Sequence, residues 1–218
     1  MIKGVIFDLD GTLLDSMTVW SSIDREFLIE SGVTDPPPGI SDIVKKMTVE
    51  ESSQYFIDSF GLSCTKEYVA QRIREMVRQR YEEQIPLKPY AHELLDLLDS
   101  RGIPYGIATA TYKSLAQAAL RRCGVYERFC FLLTDEEYPN GKSFPDIFLG
   151  AACLLGCEPQ ETLVIEDSLH CIETARAAGF ITAGVYDPVA EPDKECIMEL
   201  SDFYAQALDG IIDIFKNL

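Results

Sequence analysis

The strongest constraint on the fold is an alternation. Five short apolar runs, Lys3–Phe7, Tyr105–Ala108, Phe129–Leu133, Thr162–Ile165 and Ile181–Tyr186, are each closed by polar or turn-forming residues. Runs this short, without polar residues every second position, suit strands covered on both faces, as parallel strands are. Helical patterns lie between the later runs. Ser114–Cys123 precedes Gly124, Pro145–Leu155 opens on proline and stops at Gly156, and Leu169–Ala178 follows Ser168 and stops at Gly179. Proline in a first turn and glycine past a last one is the expected asymmetry of helix ends. Pro104 stands at the entry of the second run, where its missing N–H does least harm. The alternation predicts a doubly wound α/β domain on a parallel sheet.

The alternation fails between Phe7 and Tyr105. That interval reads as helix: Met17–Ser31 ending at Gly32, Ser41–Met47, Val49–Phe60 closed by Gly61, and Thr65–Glu83. Pro36-Pro37-Pro38 forms a stiff turn within it, and Pro86 and Pro89 mark the return. Residues 16–86 are therefore expected to form an all-helical insertion, and residues 1–15 and 87–218 a Rossmann-like core whose chain resumes with helix His92–Arg101. On the longest helix Val69, Ile73, Met76 and Val77 define the apolar side. At about 100° per residue, Arg74 and Arg78 point away from that side and Arg80 lies on it.

Composition excludes several function classes. Asp and Glu number 36 against 19 Lys and Arg, a net charge of −17. Such a surface repels nucleic acid and anionic membranes. No stretch approaches the ~18 apolar residues of a membrane span, and the N-terminus reaches a charge too early for a secretory signal. The seven cysteines are scattered, odd in number and without a C-x-x-C pair. Gly156 is expected to end the helix between Cys153 and Cys157, and neither His92 nor His170 lies near them, so zinc is not expected. The expectation is a cytoplasmic protein with reduced thiols, a monomer or weak dimer, whose partner is a small molecule.

The first strand ends in Asp8-Leu9-Asp10-Gly11-Thr12. Two carboxylates at i and i+2 leave it at its C-terminal end, where open α/β sheets bind ligands. Gly11 permits a tight turn and close approach of backbone to ligand. Asp8 is a candidate nucleophile and Asp10 a candidate general acid and base. The bland alternative is an Asx-type turn after a strand.

The segment Val5–Leu13 resembles the first motif of the haloacid dehalogenase superfamily, and matches to the other three motifs follow in order. Thr109, in Ile107-Ala108-Thr109-Ala110-Thr111, stands in the place of the second. Lys142 opens the third, Lys142-Ser143-Phe144-Pro145-Asp146-Ile147-Phe148, with Ser143 where a proline is usual. Glu166-Asp167 matches the acidic fourth. The resemblance covers essentially the whole chain and makes residues 16–86 the family's helical cap, a lid that excludes water and selects the substrate's organic half. It implies an aspartyl-phosphate on Asp8. It also implies Mg²⁺ held by the Asp8 carboxylate, the Asp10 backbone carbonyl and Asp167, with Glu166 close by. Gly11, Thr109, Ala110 and Lys142 would receive the phosphoryl group, with a helix starting near Thr111 to offer its N–H groups. Two departures stand out: many members carry glycine at the place of Cys171, and Pro-Gly in place of Pro89-Tyr90.

Electrostatics supports the metal independently. A phosphate monoester brings roughly two negative charges to a pocket with Asp8, Asp10, Glu166 and Asp167. Like charges about 4 Å apart repel by about 4 kcal/mol at an effective dielectric near 20. Lys142 offers one positive charge, and a divalent ion with oxygen ligands offers two. Glu166 has an alternative role in capping the helix that follows, and His170 reads as a surface or packing residue.

The favoured function is a Mg²⁺-dependent phosphatase for a small phosphorylated metabolite, such as a sugar phosphate. The alternative is a phosphohexose mutase of the β-phosphoglucomutase type. By resemblance, a mutase needs a cap arginine for the distal phosphate. The matching stretch Met47-Thr48-Val49-Glu50-Glu51 has none, which leaves Lys45, Lys46 or Arg80 to supply the charge. A non-catalytic binding protein of the same fold is the remaining alternative, and no catalytic position is lost to support it.

Overall fold

The computed structural model describes residues 1–44 and 47–217; Lys45, Lys46 and the side chain of Val49 lie outside the described part. The described residues divide into two compact units, one of Met1–Asp15 with Pro86–Leu218 and one of Ser16–Ile85.

The first unit is built on six parallel strands. They are β1 (Gly4–Phe7), β2 (Tyr105–Thr109), β3 (Leu132–Thr134), β4 (Thr162–Glu166), β5 (Ile181–Val185) and β6 (Phe203–Ala205), in the order β3-β2-β1-β4-β5-β6. This is a Rossmann-like order, with its reversal beside β1. Phe7 lies opposite Ile107 on one side and Ile165 on the other, so the C-terminal ends of β1, β2 and β4 share one edge. Val5, Ile6 and Phe7 are fully buried, because helices cover both faces of the sheet, and this is why the strands read as unbroken apolar runs.

The expected strand Phe129–Leu133 is corrected: β3 starts at Leu132 and runs to Thr134. The ring of Phe129 instead packs edge-on against Phe7 and Tyr105, with centroids 6.2 and 5.2 Å away. Its apolar character serves the core as a side chain rather than the sheet as a strand residue.

The second unit contains α1 (Met17–Glu30), α2 (Ile40–Val44), α3 (Val49–Phe60) and α4 (Lys66–Glu83). Thr48 and Glu51 form a reciprocal capping box at the start of α3, and Gly61 closes it in the left-handed conformation. Ile23, Phe27, Phe56, Val69, Val77 and Tyr81 are buried, and Trp20 Nε1 donates to the Tyr81 hydroxyl at 3.0 Å. Arg74 and Arg78 are exposed. Arg80 is half-buried, and its guanidinium pairs with Glu26 Oε2. Its charge is therefore already matched within the helical unit.

The first unit's two chain segments meet in a short ribbon. Asp15 N–H donates to the Pro86 carbonyl at 3.0 Å and Lys88 N–H to the Leu13 carbonyl at 2.9 Å, while Leu14 pairs antiparallel with Leu87. Directly after it, Tyr90 takes φ 67° and ψ 7° ahead of α5 (Ala91–Ser100). Among the described residues it alone combines positive φ with a side chain. This is the position of the Pro-Gly departure, and glycine would adopt the same conformation without the clash of a Cβ. Tyr90 is 46% exposed, so its ring contributes little packing in return. Comparing two truncations isolates the strain: Tyr90→Gly should be about 1 kcal/mol more stable than Tyr90→Ala in chemical denaturation. Equal stability would mean that the left-handed backbone carries no cost.

Candidate active site

Four motif residues that are distant in sequence meet at the shared strand edge. Asp8 follows β1 directly, and its N–H donates to the Ile165 carbonyl of β4 at 2.9 Å. Glu166 ends β4 and Asp167 follows it. Lys142 lies in a single helical turn, Gly141–Ser143, between β3 and α7 (Asp146–Leu155). All four side chains are buried. Lys142 Nζ donates to Asp8 Oδ1 and, at 2.5 Å, to Glu166 Oε1. Oxygens of Asp8, Glu166 and Asp167 lie within 4.8 Å of one another.

Asp10 and Thr109 stand at the same strand edge and are tied to each other through Thr111. After β1 the chain turns sharply: Leu13 and Leu14 N–H donate to the Leu9 carbonyl, and Gly11 N–H donates to that of Leu14. Gly11 takes φ 90°, which a side chain would resist. Asp10 Oδ2 accepts a hydrogen bond from Thr111 Oγ1, which connects this turn to the end of β2. Thr109 ends β2 as a buried residue, and its Oγ1 accepts from Thr111 N–H at 3.1 Å. Ala110 follows, exposed at the same edge. The helix expected near Thr111 begins later: α6 is Lys113–Arg122, and Tyr112 is its cap residue. Thr111 is thus occupied in holding Thr109 and Asp10.

The electrostatics is unbalanced, with three buried carboxylates facing one ammonium. Burial, and then the charge of Glu166, push the Asp8 carboxyl up to about 7 against the opposing pull of Lys142. Burial, with Asp8 and Glu166 beside it, holds Asp167 well above the usual carboxylate range. Lys142 stays charged: burial works against its ammonium and is outweighed by Asp8 and Glu166. Asp8 Oδ2 is buried without a hydrogen-bond partner, a costly state for a carboxylate oxygen. Clustered hard oxygens with one orphaned atom fit a divalent cation such as Mg²⁺.

Glu166 has less to offer a cation. Its Oε1 is taken by Lys142, and its Oε2 accepts from the N–H groups of Asp167 and Ser168. It orients the turn into α8 (Leu169–Ala177), and it also anchors the lysine. His170 is exposed and bonds Ser168 Oγ through Nδ1 at 3.0 Å.

Two features of the site were missed in the sequence. Thr111 is one, a neighbour of Thr109 that the motif does not single out. The other is an ion pair of Lys88 with Asp187, at 2.7 Å and with side-chain exposures of 12% and 1%. Asp187 did carry a signal, since it follows an apolar strand of the same sheet at its ligand-binding end.

The sequence pattern of the haloacid dehalogenase-like hydrolases matches residues 2–179. The N-acetylmuramic acid 6-phosphate phosphatase of Pseudomonas aeruginosa is 30% identical over 188 residues, covering 84% of this chain and 81% of its own. Hexitol phosphatase A of Escherichia coli is 30% identical over 190 residues, with coverages of 87% and 86%. Among solved structures, a provisionally named beta-phosphoglucomutase from Thermotoga maritima superimposes with a TM-score of 0.86 at 23% identity, over 100% of both chains. At that identity the likeness shows the fold.

The raised Asp8 carboxyl has a measurable consequence. Its ordinary value is 3.8 and its folded value about 7, so between these the native state holds a proton that the unfolded chain has lost. Stability contributed by this group must then fall as pH rises through that window. Metal-free protein should lose more thermal stability between pH 5 and pH 8 than its Asp8→Asn variant does, and Mg²⁺ should restore it at pH 8. Parallel melting profiles for the two proteins would show that Asp8 carries no such charge penalty.

Proposed function

The chain belongs to the haloacid dehalogenase-like hydrolases and is a phosphoric monoester hydrolase; from that premise we propose that it removes phosphate from a small phosphorylated sugar, with Asp8 as nucleophile and Asp10 as general acid and base. The observation that carries this reading is the pairing at the strand edge. Asp8 is fixed through one oxygen by Lys142 and has its other oxygen unpartnered, while Asp10 is aimed by Thr111 two residues further on. The sugar class is supported by relatives named for N-acetylmuramic acid 6-phosphate and for hexitols.

The residues divide the work as follows. An Asp8 oxygen attacks phosphorus opposite the leaving group, and the bond from phosphorus to the sugar oxygen breaks. Asp10, protonated for this step, gives its proton to that oxygen. It then takes a proton from water, whose oxygen attacks phosphorus and frees Asp8 and inorganic phosphate. Lys142 keeps Asp8 aligned and offsets charge on the phosphoryl oxygens. The Thr109 hydroxyl and the backbone N–H of Ala110 receive the remaining oxygens; the N–H of Gly11 is already given to the Leu14 carbonyl, so Gly11 serves the turn rather than the phosphoryl group. Mg²⁺, held by the Asp8 and Asp167 carboxylates and the Asp10 carbonyl, supplies the positive charge that one lysine cannot.

Phosphate release from a panel of sugar phosphates tests the proposal. Activity should vanish with a chelator and return with Mg²⁺. Asp8→Asn should abolish turnover in a folded protein. Asp10→Asn should lower it by about 10²–10⁴-fold while leaving Mg²⁺ binding nearly intact, because the ligand there is a backbone carbonyl. With β-glucose 1-phosphate and a trace of the 1,6-bisphosphate, glucose 6-phosphate forming faster than free phosphate would overturn the hydrolytic reading.

A further inference from the structure

The Lys88–Asp187 pair is unused by the chemistry above, yet it is built into the same edge of the sheet. Lys88 sits on the return arm of the ribbon, its N–H bonded to the Leu13 carbonyl. Its Nζ donates to Asp187 Oδ2 at 2.7 Å and to the Tyr186 carbonyl at 3.3 Å. Asp187 is 1% exposed, and its second oxygen accepts from Val189 N–H at 2.9 Å. It lies just past the end of β5, whose Gly184 pairs with Glu166 of β4, so Asp187 and Asp167 emerge from neighbouring strands at one end of the sheet. The charge of Asp187 is among those acting on Asp167. Left unpaired, it would add a fourth carboxylate to a group already in excess over its single ammonium.

We propose that Lys88 is a positioning residue: by neutralising the buried Asp187 beside Asp167, it sets how strongly the cluster binds a divalent cation relative to a phosphate. Removing the lysine adds net negative charge, which favours the cation and disfavours the anion. Removing the charge of Asp187 leaves the lysine in excess and does the reverse. Both effects follow Coulomb's law between buried groups at the ends of adjacent strands, where solvent screens little. A mere strut would behave differently, since losing either end would weaken both ligands together. The inference rests on the reading of Asp8 and Asp167 as cation ligands.

The test is calorimetric titration at pH 8, with Mg²⁺ added to metal-free protein and inorganic phosphate added to the Mg²⁺-saturated protein. Lys88→Met should bind Mg²⁺ at least threefold tighter and phosphate at least threefold weaker than wild type. Asp187→Asn keeps an oxygen for the Val189 N–H and should shift both constants the opposite way. The double variant should return close to wild type, and Lys88→Arg should match wild type. If Lys88→Met does not fold, the opposed shifts of Asp187→Asn still decide the matter. Weakening of both ligands in every variant would overturn the proposal while leaving the cation site standing. Absence of Mg²⁺ binding by the wild type would overturn both.

Discussion

One buried ammonium holding two carboxylates is the interaction on which the site depends. Lys142 reaches across the strand edge to Asp8 and Glu166, residues 134 and 24 positions away in sequence. Without it, Asp8, Glu166 and Asp167 would be three buried like charges within 4.8 Å, each pair repelling by about 4 kcal/mol at 4 Å and an effective dielectric near 20. With it, one negative charge is matched and the excess persists. Burial first, and then that excess, raise the Asp8 carboxyl, whose Oδ2 is buried without a hydrogen-bond partner. The cluster of buried oxygens therefore fits a hard cation on chemical grounds.

The fold exists around that cluster in a traceable way. β1 sits centrally and buried, so Asp8 is delivered to the sheet edge with its backbone already bonded to β4. The tight turn through Gly11 then aims Asp10 while sending the chain toward the insertion at residue 16. The helical unit satisfies much of its own charge, through Arg80 with Glu26 and Arg72 with Glu30. These are partly exposed pairs, worth about 1 kcal/mol or less each, and that unit's stability comes mainly from its aromatic and aliphatic core.

The legible parts of the sequence share one property: the residues that specify them are close together. Buried parallel strands show as continuous apolar runs, and Asp8 stands directly past the first of them; Thr109, Lys142, Glu166 and Asp167 are picked out by the resemblance of their short motifs to the family pattern. What was not legible depends on contacts made at a distance. Phe129 looks like a strand residue, and only its packing on Phe7 and Tyr105 shows otherwise. Strand β6 is three residues at the sheet edge, too short to leave a pattern. Lys88 lies between Leu87 and Pro89 in a linker and gives no hint of Asp187, 99 residues later. Tyr90 breaks the local rule that left-handed backbone belongs to glycine, so it could be flagged as a departure but its conformation could not be read.

The central claim is that Asp8 carries the phosphoryl group during turnover. The direct measurement is mass mapping of peptides from wild-type enzyme quenched in acid while hydrolysing a substrate found in the sugar phosphate screen. The account predicts one phosphoryl group on the peptide containing Asp8, removable by hydroxylamine as an acyl phosphate is. A phosphoryl group on another residue, or an unmodified Asp8 at every quench time during active turnover, would contradict it.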